Sequence, residues 1–162
     1  MTNSTAFKIG GSTGTVADGS GQPVRIVKVE LDIADVAALV TTGGLATIMT
    51  LPANTYFRFL YAESVTAVSL DSGASGRIDI GDDSDDDQYV TNQTTFAAGT
   101  IFTIAAGGNV HTDGEVTGAA DSVAVKLTGD KLSGGTANAT GIIRMVFLLG
   151  DATRKAQMTT QS

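Results

Sequence analysis

The feature of the sequence that most limits its fold is a two-residue alternation of apolar and polar side chains in short runs. Val27, Val29, Leu31 and Ile33 alternate with Lys28, Glu30 and Asp32. Ile78 and Ile80 alternate with Arg77 and Asp79. Val123, Val125 and Leu127 alternate with Ser122, Ala124, Lys126 and Thr128. Successive side chains of a strand point to opposite faces, so each run buries one face and wets the other. On the same rule Phe57, Phe59 and Tyr61 are expected on one face of a further strand, with Tyr56, Arg58 and Leu60 opposite. Less regular strands are expected over 45–50, 64–70 and 100–105. Turn residues separate the runs: Thr-Gly-Gly at 42–44, Pro52-Ala53-Asn54, Asp71-Ser72-Gly73, Ala98-Gly99, Gly107-Gly108-Asn109, Asp113-Gly114 and Ser133-Gly134-Gly135. Only 33–40 offers a helical face (Ile33, Val36, Ala37, Val40), with Gly43 suited to its C-terminal stop.

The last run differs. Ile143, Met145, Phe147 and Leu149 form one apolar face, and Ile142, Val146 and Leu148 make the other nearly as apolar, broken by Arg144. A two-layer sandwich covers one side of a strand, so the second side calls for a loop of the same chain or a neighbouring subunit. A homo-oligomer is expected, a trimer before a dimer, with Arg144 reaching water or a carboxylate of the adjacent subunit. The fold class is therefore all-β: an antiparallel β-sandwich, jelly-roll-like before immunoglobulin-like, with a flexible N-terminal arm. The immunoglobulin Cys pair around a buried Trp is impossible in a chain with neither residue. Residues 1–22, mostly Thr, Ser and Gly around isolated Phe7, Ile9 and Val16, are the arm, expected to be mobile when free and ordered on a neighbour. Residues 23–150 are the sandwich domain and 151–162 a polar tail.

Lys+Arg number 10 and Asp+Glu 17, a formal net charge of −7. An acidic chain cannot displace counterions from a phosphate backbone, so no nucleic-acid partner is expected. No membrane partner is expected either: Ile142 to Leu149 is far shorter than the roughly 20 residues of a membrane helix, and the N-terminus has no apolar signal core. With 162 residues the chain can bury one real core. Having no Cys, it has no disulfide, thiol or zinc–cysteine chemistry, which fits synthesis in a cytoplasm.

The densest polar feature runs from Asp79 through Asp82, Asp83, Asp85, Asp86 and Asp87. Oxygen ligands in a glycine-containing turn suit Ca²⁺. However, counting from Asp83, an EF-hand loop would need Gly where Gln88 stands and Glu where Thr94 stands. The loop over 82–87 therefore reads as a solvated acidic hairpin tip. His111, beside Asp113 and Glu115, is the one residue that could start a hydrolase site. It occupies a turn-rich loop with no second histidine in the chain and no nucleophile elbow, and it reads as a surface residue. Gly10-Gly11-Ser12-Thr13-Gly14 lacks the Lys-Ser/Thr ending of a phosphate loop. The sequence is read as non-enzymatic, with no catalytic residue, no cofactor and no metal site.

A wider pattern then stands out: Leu51-Pro-Ala-Asn-Thr55, then Ile78-Asp-Ile-Gly-Asp82 leading through the aspartates to Tyr89-Val90, then Thr100-Ile-Phe-Thr-Ile104, Val125-Lys-Leu-Thr-Gly129 and the final apolar strand. From about Val24 to Gly150 this resembles the jelly-roll capsid decoration, or cement, proteins of tailed bacteriophages. The resemblance implies a structural virion protein on the capsid exterior. It also implies the major capsid protein as partner, attachment as a dimer or trimer, and no enzymatic residues. Phe7, Ile9 and Arg144 are the expected partner-binding residues. The alternative function is a receptor- or carbohydrate-binding module of a fibre or spike, for which Tyr89 is the one obvious aromatic platform.

Overall fold

A computed structural model describes residues 3–9, 12–18, 24–40, 44–72, 75–82, 84–104, 115–117, 119–132 and 138–151. The alternating runs become strands: β1 (Asn3–Ile9), β2 (Ser12–Asp18), β3 (Val24–Asp32), β4 (Leu45–Leu51), β5 (Thr55–Ser64), β6 (Arg77–Gly81), β7 (Val90–Gln93), β8 (Glu115–Val116), β9 (Asp121–Thr128) and β10 (Ile142–Asp151). They form two antiparallel sheets. Sheet A has the order β1-β2-β3-β10-β5-β8, and sheet B the order β4-β9-β6-β7.

From β3 onward the pairing is nested. β3 pairs with β10, β4 with β9, β5 with β8 and β6 with β7, so the first strand of the set meets the last and the middle two form a hairpin. The pairs alternate between the sheets, as though one long antiparallel ribbon were rolled up. That wrapping is a jelly roll, the class expected from the sequence.

The core lies between the sheets, as alternation requires. Sheet A contributes Val27, Val29, Leu31, Phe57, Phe59, Ala62, Ile143, Met145, Phe147 and Leu149. Sheet B contributes Ala46, Ile48, Leu51, Ile78, Ile80, Val90, Val123, Val125 and Leu127. At its centre Phe57, Phe59 and Phe147 pack with Tyr89, ring centroids 5.2–5.8 Å apart in four pairs. Such offset and tilted geometries suit the ring quadrupoles.

The expected helix forms as α1 (Ile33–Leu39), burying Ile33, Val36 and Ala37. Its N-terminus is fixed by the Asp32 carboxylate, which accepts from the Ala34 N–H at 2.9 Å. The helix gives way to extended backbone at Val40, and Gly43 lies outside the described residues.

The structure departs from the expected pattern in four places. Between Val146 and Phe147 the register against β5 slips from Tyr61 to Phe59, leaving Leu60 as a bulge residue. The bulge turns the rest of the strand over, so Tyr61 leaves the face of Phe57 and Phe59 for the outer one, and Ala62 replaces it inside. The runs over 64–70 and 100–105 give no strands of their own. Ser64 ends β5, and Ser69, Ile101 and Ile104 make only isolated bridges. The short β7 and β8 had no periodic signal. Within the expected arm, Asn3–Ile9 and Ser12–Asp18 form a hairpin, and β2 meets β3 at Gly14↔Val29 and Thr15↔Lys28, widening sheet A.

Candidate functional site

The sandwich has two outer faces, and the polar residues singled out in the sequence divide between them. On sheet A the register sets side chains in rows across β3, β10 and β5. Glu30, Arg144 and Glu63 form one row; Lys28, Val146 and Tyr61 the next; and Ile26, Leu148 and Arg58 the third. Directly opposed residues in a sheet are near enough to pair. Arg144 therefore meets two carboxylates of its own chain: Glu30 at 2.5 Å from Nη2 and 2.8 Å from Nε, and Glu63 at 2.8 Å from Nη1. The hydrogen bond to Glu30, joined by that to Glu63, holds the guanidinium above its ordinary value. The carboxylate expected from an adjacent subunit is thus supplied from within. Val146 is buried between Lys28 and Tyr61 in its row, whereas Ile26 is 56% exposed. Arg58 stands beside Leu148 with its Nε–H shielded from water and without an acceptor among the described residues.

The outer face of sheet B is organised differently. Gly81, at the end of β6, has no side chain, and the chain returns directly over it. A Cβ built at Gly81 would lie 1.9 Å from the Asp85 carbonyl oxygen and 2.6 Å from the Asp86 carbonyl carbon. Only glycine admits that approach. Asp82, 6% exposed, then holds the turn. Its Oδ1 accepts from the Ser84 N–H, the Ser84 hydroxyl and the Asp85 N–H, each at 2.7 Å. Lys126 on β9 reaches Asp86 at 2.5 Å, and that hydrogen bond raises the lysine above its ordinary value. Asp79, also buried, accepts at 2.6 Å from the N–H of Asn92, whose φ of 53° is one that asparagine tolerates. Ala124, beneath this loop on β9, is fully buried.

The expected solvated tip is therefore corrected. The loop folds back as a cover on sheet B: Asp82 is spent as an acceptor for the loop's own backbone, and Asp79 as an acceptor for the backbone of Asn92 on β7. Asp85 and Asp87 remain half exposed. A hydrogen bond between their carboxyls, together with burial and the repulsion of Asp87, raises Asp85 above its usual value of 3.8. Among the described residues no group of three or more metal-ligating side chains could hold an ion.

Other motif residues also do structural work. The turn at Leu51-Pro-Ala-Asn-Thr55 is tied to Thr117, whose hydroxyl donates to the Pro52 carbonyl at 2.8 Å and accepts from the Thr55 N–H at 3.1 Å. Asn54 there takes a φ of 62°. Asp71 accepts from the Ser75 N–H at 3.1 Å and the Ser75 hydroxyl, closing its own loop. Tyr89, the candidate sugar platform, is 1% exposed inside the aromatic core and offers no surface for stacking. His111 and Asp113 lie outside the described residues. Phe7 and Ile9 fall on β1, where the backbone register alone is described.

No protein-family model matches the chain, and no curated protein matches it. Solved structures do resemble it in fold. The cyanophage Pam1 capsid asymmetric unit is 18% identical over 82% of this chain and 87% of that one, with a TM-score of 0.48. The capsid of Ralstonia phage GP4 is 19% identical over 83% and 86%, TM-score 0.44. The acidic stable capsid structure of Helicobacter pylori bacteriophage KHP30 is 9% identical over 92% and 91%, TM-score 0.42.

Proposed function

We propose that this protein is a structural component of a tailed-phage virion, attached to the outside of the shell formed by the major capsid protein and stabilising it. The observation that carries the reading is the uneven use of polar groups. Asp71, Asp79, Asp82 and Thr117 hold loops of their own chain, while the outer face of sheet A carries Ile26, 56% exposed, with Leu148, Tyr61 and Arg58 half buried beside it. A rigid sandwich that spends its polar chemistry on itself and presents a mixed apolar and cationic face suits a scaffold that other proteins grip. The sequence resemblance to decoration proteins supports the same reading. The carbohydrate-binding alternative has lost its aromatic candidate with the burial of Tyr89.

Phe7 and Ile9 act in this reading as anchors on a neighbour, at the edge of a hairpin that already extends sheet A. Strand addition at such an edge gives main-chain affinity, and attachment as a homo-oligomer multiplies weak contacts through effective concentration. Co-sedimentation with shells of major capsid protein tests the proposal. The full chain pellets with shells, and a chain lacking residues 1–15, which loses β1 and the β2 residues paired with β3, pellets less while it keeps a cooperative thermal unfolding of the two-sheet core. Failure of the full chain to pellet overturns it.

A further inference from the structure

The two outer faces differ in which charges they leave unsatisfied. Arg144 is taken by Glu30 and Glu63, Arg77 lies 3.7 Å from Asp79, Lys126 is taken by Asp86, and Lys131 donates to the Ser69 hydroxyl. Lys28 and Arg58 have no polar partner among the described residues, and both lie on the outer face of sheet A in adjacent rows. On the far side of the molecule, Asp85 and Asp87 crowd each other on the cover of sheet B, and no cation among the described residues answers them. Each face holds what the other lacks, and the thickness of the sandwich separates them within one molecule.

We propose that the outer face of sheet A docks onto the acidic cover of sheet B in a second copy of this chain, with Arg58 and Lys28 meeting Asp85 and Asp87. Charge complementarity selects this occupant. With a net charge of −7 two copies repel in most orientations, and the approach of these two faces joins cations to carboxylates that have no opposite charge beside them among the described residues. The surroundings of Arg58 match the centre of an interface. Ile26 is 56% exposed, Leu148 and Tyr61 are half buried beside it, and Tyr and Arg amid apolar side chains are the types that dominate binding energy at such centres. Carboxylates arriving from a neighbour also satisfy a guanidinium whose Nε–H is already stripped of water.

The contact is heterologous, one face of a copy against the other face of the next, so it closes into a ring if the rotation allows and otherwise extends as a row. The docking requires no shell, so it stands or fails separately from the virion reading.

Sedimentation velocity of the full chain tests it. At low ionic strength (about 0.01 M, a Debye length of about 30 Å) self-association is expected, and it weakens steeply at about 0.3 M salt. Arg58→Glu and Asp87→Arg each raise the self-association Kd about tenfold or more, the size of a close charge pair. Each variant keeps a cooperative thermal transition, since both sites are half exposed. Mixed in equal amounts, the two variants associate again, because each then offers the face that the other has lost. Three results overturn the proposal: a wild-type chain that stays monomeric at low salt, single variants that associate as the wild type does, or a mixture that does not regain association.

Discussion

On the outer face of sheet A three charged side chains from three strands pair in a row, Arg144 held between Glu30 and Glu63. On the outer face of sheet B five aspartates among the described residues gather near Arg77 and Lys126, and the chain itself lies across the strands. The first arrangement is lateral. It uses long side chains at half-exposed positions and leaves the neighbouring apolar residues open. The second is vertical: short carboxylates bind backbone N–H groups under a loop, and the strand beneath loses contact with water. The same residue type thus serves two ends. A glutamate across from an arginine in a sheet adjusts surface charge, whereas an aspartate followed by Ser and Asp builds a turn. Charge density alone does not reveal whether a segment is surface decoration or part of the architecture.

Gly81→Val strains that contrast most. Its side chain has nowhere to go beneath the Asp85 carbonyl, so the cover must lift. Denaturant unfolding is expected to show a loss of about 3 kcal/mol. A loss under a few tenths would mean that the cover is not seated on the sheet.

A smaller effect is expected from pH. Because the Asp87 carboxyl raises Asp85 in the folded state, the folded chain binds a proton that the unfolded chain would release between the ordinary value of 3.8 and the raised one. Stability therefore falls as pH rises through that window and gains as pH drops through it. Thermal melts from about pH 7 to about pH 4 should show this component in the wild type, and Asp87→Asn should flatten it. An identical pH profile in the variant would mean that the two carboxyls do not interact.

The smallest effect is expected on sheet A. Arg144→Leu leaves Glu30 and Glu63 facing each other in solvent-screened positions. Its melting temperature should move far less than that of Gly81→Val, the shift should grow as salt is lowered, and Arg144→Lys should recover most of it. A loss as large as that of Gly81→Val would make the lateral row as architectural as the loop.

The strands of the core were legible because Val27–Val29–Leu31, Ile78–Ile80, Val123–Val125–Leu127 and Ile143–Met145–Phe147–Leu149 keep an unbroken period of two. The period of two places Tyr61 with Phe57 and Phe59, but a bulge at Leu60 adds one residue to β5 and turns it outward, and no local signal marks where a ladder slips. β7 and β8 are too short to show a period. The role of Asp82 was written in Asp82-Asp83-Ser84-Asp85, an aspartate followed at once by donors, but a reading based on charge repulsion overlooks backbone acceptors. For Arg144 the sequence leaves open water or a carboxylate of an adjacent subunit, and the structure supplies carboxylates of its own chain. That its own chain supplies two depends on pairings across 114 and 81 residues, which periodicity cannot foresee.

The nested pairing also governs the order in which this molecule can come into being. β10 lies between β3 and β5, so until it is made the two halves of sheet A have nothing to join them. A growing chain therefore carries β3 to β9 through synthesis with the centre of one sheet missing, although the β1–β2 and β6–β7 hairpins can close early and sheet B can pair once β9 is made. Such distant closures make for slow folding, with unpaired edges exposed meanwhile. A ribosome or chaperone holding this chain has to keep the edges of β3 and β5 apart from other strands until the last of the ten arrives.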